Sequence, residues 1–264
     1  MIVRDTDDAW QIVLQPDHAV LSEQLCRAWG NDAVSAPAPL ASLAVASRRH
    51  DDGWSVWEQS PSLDPESGRP RAFLDVQVPL HLDFYRACIA AVSDEDAYAG
   101  LLVSMHGAGI YRGRYGSQSG LTLTHAKDVK DLVDAFVDEQ EAGYDARIAE
   151  LALDDDERWI NYRFLQLYDR LSLYFCMKDL DDGEADTLKP VPTDYAGAES
   201  ELTIEPLGPW CVSMDPFPFA GAEATFSLDR RVLSKSDWTS DAAFREAFFS
   251  TPVERTSITV KAAA

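Results

Sequence analysis

Segment 157–178, ERWINYRFLQLYDRLSLYFCMK, is long, apolar and helical in its spacing, and it carries a carboxylate, Asp169, at its centre. A helix of that character belongs inside a protein, and a carboxylate inside a protein is stable only beside a group that compensates its charge. The chain uses histidine only five times, all upstream of Asp169, and the first four are His18, His50, His81 and His106. His50 is followed directly by a second carboxylate, Asp51. A divalent cation compensates imidazole and carboxylate together. Imidazole suits Fe, Zn, Mn, Co and Ni, and added carboxylate shifts the preference toward harder ions. Four imidazoles and two carboxylates supply enough protein ligands for a dinuclear site.

The rest of the chain can be organised around these residues. Trp10-Gln11-Ile12-Val13-Leu14 reads as a short β-like segment. Pro16-Asp17 starts a helix with apolar Val20, Leu21, Leu25 and Ala28 at helical spacing, ending at Gly30, so His18 falls in its first turn. After a Pro/Ala/Ser stretch at 34–39, LASLAVASRRHDDGW predicts an apolar helix whose last turn delivers His50 and Asp51, with Gly53 as its stop. Adjacent side chains do not converge on a regular helix face, but they can where the backbone turns out of the helix. Residues 58–79 are rich in turn formers, the kind of long loop that often lines a site. His81 opens the helix HLDFYRACIAAV, and AYAGLLVSMHGAGIY reads as a buried helix ending at His106-Gly107. A loop, YRGRYGSQSG, and an acidic amphipathic helix near 126–150 follow. Beyond residue 190, alternating segments at 201–205, 210–214 and 224–228 predict antiparallel strands, with a short helix at 240–249 and a last strand at 253–260. The expected architecture is mainly α: a helical bundle over residues 1–185 carrying the histidines, with a small β-rich C-terminal appendage over 186–264 packed on it, α+β overall.

Composition bounds the function classes. The chain has 264 residues, 46% of them hydrophobic, which suffices for a sizeable core. No apolar run approaches the ~18 residues of a membrane helix. The N-terminal MIVRDTDDAW has acidic residues where a signal peptide would be apolar. A cytoplasmic location is expected. Cys26, Cys88, Cys176 and Cys211 are isolated in apolar surroundings and read as reduced core residues. The net charge of -22, with few lysines, resembles the acidic surfaces of proteins adapted to high salt. It argues against a non-specific nucleic-acid binder, which needs Lys and Arg for phosphate. The expected partner is a small-molecule substrate, with neither nucleic acid nor membrane, and a homodimer is open.

The ordered set His18, His50-Asp51, His81, His106, Asp169, each on or ending a helix, resembles the HD-domain metalloprotein superfamily over about residues 15–178. AVASRRHDDG has the shape of that superfamily's dipeptide, an apolar run, then His-Asp, then a small residue. The whole chain also resembles an uncharacterised prokaryotic family known only as a domain of unknown function, which implies no activity. The superfamily resemblance implies that His18, His50, Asp51 and Asp169 bind one metal, with Asp51 bridging to a second held by His81 and His106. Bland roles compete: His18 or His81 as ordinary helix-start residues, Asp169 as an ion-pair partner of Arg163 or Arg170. His125 reads as a surface residue and is left out of the set.

The expected cofactor is a pair of divalent metal ions, iron first, with manganese, cobalt or zinc as the other candidates. Two such ions acidify a water and clamp the attacking and leaving oxygens, which suits hydrolysis of a phosphoester of a small molecule or nucleotide. Asp51 then has a catalytic role at the centre. Arg112 and Arg114, just after His106, are the candidate catalytic and substrate-binding donors to phosphate. Trp54 and Tyr111 are candidate walls for a ring-bearing substrate, against a plain core role. Two alternatives stand beside the hydrolase. The same ligand set resembles the mixed-valent di-iron oxygenases that cleave C–C or C–P bonds, although the chain lacks the lysine that some of them carry just after the His-Asp pair. A non-catalytic metal- or ligand-binding protein is the other.

Overall fold

In the computed structural model, which describes residues 1–116, 127–178, 180, 183–236 and 238–263, the axis of the fold is α8 (Asp155–Met177). Asp154 caps it by accepting from the Glu157 N–H at 3.0 Å, and three acidic residues in the first turn suit the positive end of the helix dipole. From Ile160 to Cys176 its buried residues fall on every side, so the helix is enclosed by neighbours. α5 (Ala97–Tyr111), capped by Asp96, is buried continuously from Tyr98 to Gly109. It forms the second inner rod.

α1 (Gln15–Ala28) packs on α2 (Leu40–Arg49) and on α8, while α4 (Val78–Glu95) packs on α5. α3 (Ser55–Glu58) is a single turn after α2. The acidic helix expected near 126–150 is two helices, α6 (Lys127–Glu141) and α7 (Tyr144–Leu151), broken at Ala142-Gly143. His125 and part of the acidic run 179–184 lie outside the described residues.

The expectation of a mainly α bundle with a small β appendage is overturned. About half of the chain is helical, and the described strands form one seven-stranded mixed sheet curled into a half-barrel. Its order is β1 (Ile2–Asp5), β2 (Ala9–Val13), β6 (Glu223–Ser234), β7 (Glu254–Ala262), β5 (Cys211–Asp215), β4 (Glu199–Gly208), β3 (Asp186–Pro192). All neighbours are antiparallel except β5 and β7, which run parallel. Two strands thus come from the extreme N-terminal region, and one of them, β2, pairs with a strand more than 200 positions away. β6 joins the two parts: Glu223–Arg230 pairs with β7, and Arg231–Ser234 pairs with β2.

The sheet also shares its core with the helices. Ile2, Val13, Ile204, Phe226 and Val260 belong to the same buried cluster as Leu21, Phe164 and Leu171. Gln24 of α1 clamps β6, donating to the Ser227 carbonyl at 2.8 Å and accepting from its N–H at 2.9 Å. A smaller cluster of Ile12, Leu233, Phe244 and Phe248 seats α9 (Asp241–Ser250). The four cysteines are free, and Cys26, Cys88 and Cys176 are buried as expected. Among the described residues no helix is long and apolar enough to cross a membrane.

Candidate metal centre

Four helices deliver side chains to one buried point. Immediately after β2 the chain enters α1, whose buried stripe of Gln15, His18, Ala19, Leu21, Ser22 and Leu25 puts His18 inward. α2 ends at Arg49. His50 is its C-cap, and Asp51 has φ -118 and ψ 17, where the backbone leaves the helical path. That exit lets two adjacent side chains face the same place. The next turn is held against α4 by Gly53: a Cβ there would stand 2.2 Å from the Phe84 carbonyl oxygen, so close approach rather than an unusual φ demands glycine. His106 lies within α5 and not at its end as expected, because the helix runs on to Tyr111. Gly107 lets it pack on the Tyr85 ring, where a Cβ would stand 2.8 Å from a ring carbon. Asp169 comes from the middle of α8.

The geometry is that of ligands around a common centre. His18 Nε2 lies 3.3 Å from Asp169 Oδ1 and 3.3 Å from His50 Nε2, and His50 Nε2 lies 3.5 Å from Asp169 Oδ1. Ligand atoms about 2.0–2.1 Å from one ion at tetrahedral angles stand about 3.3–3.4 Å apart. Asp51 Oδ2 is 3.7 Å from His18 Nε2 and 3.8 Å from His50 Nε2. His50, Asp51 and His106 form a second group of convergent ligand atoms. His50 Nδ1 is 2.8 Å from the Ser47 carbonyl oxygen, so it is the protonated nitrogen and donates, leaving the Nε2 lone pair toward the centre. Tyr85 donates its hydroxyl to Asp51 Oδ1 at 3.1 Å, which turns Oδ2 to the histidines. Buried His18 Nδ1 and His106 Nδ1 have no hydrogen-bond partner among the described residues. Such orphaned nitrogens cost about 1–3 kcal/mol each and are rare without a function. The donor set and its spacing fit a divalent cation.

The electrostatics of the protein without metal follow from the same contacts. Burial opposes charge on His50, but Asp51, Asp169 and the Ser47 carbonyl outweigh it and hold the pKa at about 9. Burial alone would raise Asp169. Its hydrogen bonds to His18 and His50, with the charge of Arg114, instead hold it well below the usual carboxylate range. Burial keeps His106 well below its ordinary value. A proton on His50 therefore supplies some of the positive charge that a metal would bring.

His81 is placed differently from the other five. Its Nδ1 is 2.6 Å from the Tyr111 hydroxyl, its ring stands 5.1 Å from that of Trp54 and 4.9 Å from that of Tyr85, and burial pushes its pKa down to about 4. It lines the same cavity as the centre but belongs to neither convergent group. That cavity, of about 400 Å³, runs from Asp51, His106 and Asp169 outward past Trp54 and Tyr111. The two arginines part company. Arg114 lines the cavity and donates from Nη2 to Asp169 Oδ2 at 3.1 Å, with both side chains largely buried. It sits in a short 3-10 turn, Gly113–Gly116, with φ 51, and Tyr115 follows with φ 52, a costly backbone for non-glycine residues. Arg112 points the other way, to Glu141 of α6 at 3.2–3.3 Å, and is not part of the cavity.

Two cavity residues escape a reading by histidine spacing. Tyr85 stands one helical turn after His81, and that i,i+4 relation was the available signal. Gln15 stands three residues before His18 on the same face. It is 2% exposed, and its Oε1 has no partner among the described residues. Nothing in its own sequence context marks it.

No curated protein and no solved structure matches the chain. Residues 1–235 match the model of a family described as a protein of unknown function, DUF3891, and the chain belongs to that family.

Proposed function

We propose that this chain is a metal-dependent hydrolase with a dinuclear centre of the HD type, acting on a small phosphoester. His18, His50, Asp51 and Asp169 would hold one ion. Asp51 would bridge to a second beside His106, with His81 nearest on the wall. The observation that carries the reading is the convergence of five buried ligand residues, from four helices, at the inner end of one cavity. Bound there, two divalent ions would acidify a water and neutralise phosphoryl oxygens.

The protein's own residues do the rest. Tyr85 fixes the orientation of Asp51 through Oδ1. Arg114 faces the cavity while tied to Asp169 Oδ2, which orders its guanidinium as a donor beside the centre. Apolar walls limit the water that reaches the site. Elemental analysis of the purified protein, with His50→Ala and Asp51→Ala beside it, tests the centre. Full metal content in those variants would sink it. Release of phosphate from generic monoesters with manganese or cobalt tests the reaction.

The apolar walls also favour the second reading, a mixed-valent di-iron oxygenase, because such chemistry needs water kept out. Bound iron with a di-iron absorption band, and no phosphate release, would select it. Retained metal with neither activity would leave a metal-binding protein.

A further inference from the structure

Beyond the metal centre, the cavity has a second character. Its outer walls are Trp54, Phe73, Val76, Val78, Ile110 and Leu173. The Tyr111 hydroxyl and His81 Nδ1 beside them are 2.6 Å apart and engage each other, so apart from the indole N–H of Trp54 this wall offers little to pair the polar groups of a heterocycle edge or a ribose. Burying those polar groups unpaired is costly. Among the described residues Arg114 is the one lysine or arginine lining the cavity, and the residues outside the description contain neither type. A chain of net charge -22 whose cavity is lined by one such side chain offers a polyphosphate few contacts beyond those of a metal centre.

At the inner end the requirement is the opposite. Gln15 is 2% exposed, lines the cavity and has a buried Oε1 with no partner among the described residues. Three residues before His18 on α1, it lies on the same face of the helix and lines the same cavity as Asp51, His106 and Asp169. Because Oε1 is an acceptor, it is satisfied by a ligand group that donates, such as the P–OH of a singly protonated phosphoryl head.

We infer that the cavity binds a small phosphate monoester with one phosphoryl head and an apolar, ring-sized body, and not a nucleotide, with the head contacted by Gln15 and Arg114 and the body held by the apolar wall. This rests on the hydrolase reading above for the nature of the head. It goes beyond it in naming what is attached to that head, and in giving Gln15 a role in head recognition.

Calorimetric titration of the manganese-loaded protein with phenylphosphonate, inorganic phosphate and AMP tests the inference, after manganese binding itself has been measured. Phenylphosphonate is expected to bind at least about 10-fold more tightly than phosphate, since burying a ring removes apolar surface from water. AMP is expected to bind no better than phosphate. Val76→Gln, on the partly exposed wall, should weaken phenylphosphonate alone. Gln15→Leu should weaken phenylphosphonate and phosphate by similar factors, about 3- to 10-fold. Near-ultraviolet circular dichroism checks that both variants keep the native packing.

Manganese binding with equal affinity for all three probes, or with AMP the tightest, overturns the inference and leaves the metal centre standing. No manganese binding, with phenylphosphonate still preferred and still sensitive to Val76→Gln, overturns the metal reading and supports the apolar-body specificity. Weakening of phenylphosphonate alone by Gln15→Leu overturns the assignment of Gln15 to the head.

Discussion

His50 and His81 are buried histidines on one cavity, yet their charge states are pushed in opposite directions. His50, at the inner end, is held up at about 9 because two carboxylates outweigh its burial. His81, on the wall between Trp54 and Tyr85, is pushed down to about 4 because little there offsets its burial. Burial by itself disfavours the proton on both imidazoles. The partners within reach decide the sign. The inner end of the cavity thus surrounds its imidazoles with carboxylates, and the outer wall is an apolar pocket that happens to contain a histidine.

The widest separation of the two regions is expected in metal binding. His50→Ala should lower metal affinity by more than the ~100-fold that loss of an outer partner can cost. His81→Ala should lower it by about 10-fold or less. Equilibrium dialysis with elemental analysis reads both, and equal losses would place His81 in the centre with His50.

A second contrast lies two residues apart in sequence. Arg114→Met removes one of the buried cationic partners of Asp169 and leaves His50 as the other, and should destabilise the metal-free protein by about 2–3 kcal/mol. Added manganese should recover part of that loss, because a cation at the centre also compensates Asp169. Arg112→Met removes a surface pair and should cost under ~1 kcal/mol. Urea denaturation with and without metal measures all three quantities, and similar losses for the two variants would refute the placement of Arg114.

Stability in the presence of a chelator should depend on pH through the two histidines in opposite ways. The pKa of His81 is lower folded than unfolded, so its contribution is full above about 6.5 and is lost as pH falls toward about 4. The pKa of His50 is higher folded than unfolded, so its contribution is full below about 6.5 and is lost as pH rises through about 9. Each shift corresponds to about 3 kcal/mol at most. Melting curves of His81→Gln should lose the acid-side slope in part, and those of His50→Gln the alkaline-side slope. The reverse pattern would contradict the assignment of charge.

The smallest effect is expected at Tyr111. Tyr111→Phe removes the hydroxyl that orients His81 and should change metal affinity by no more than about 10-fold.

Much of the helical half was legible, because its elements announce themselves over three or more turns. The apolar spacing of 18–28, the continuous apolar run of 97–111 and the aromatic run of 157–178 each gave a helix within a few residues of the observed bounds. The C-terminal strands were legible from alternation, although β3 was missed where Lys189-Pro190 interrupts it. β1 was missed because Ile2–Asp5 is too short to show a period. The architecture failed on pairing. No local pattern states that β2 lies beside β6, since that contact joins positions 9–12 to positions 231–234.

By itself, then, the sequence determined which residue types had to be gathered and on which helices. A carboxylate inside an apolar helix and imidazoles on inward stripes have few stable arrangements other than facing one another or a cation. Only the tertiary structure decided which of them meet, because that depends on helix packing: it put five residues at one point, left His81 on the wall, sent Arg114 inward and Arg112 out to Glu141, and brought Gln15 to the cavity. The same holds for the sheet, whose partners are chosen by surfaces buried from both ends of the chain and not by any stretch of it.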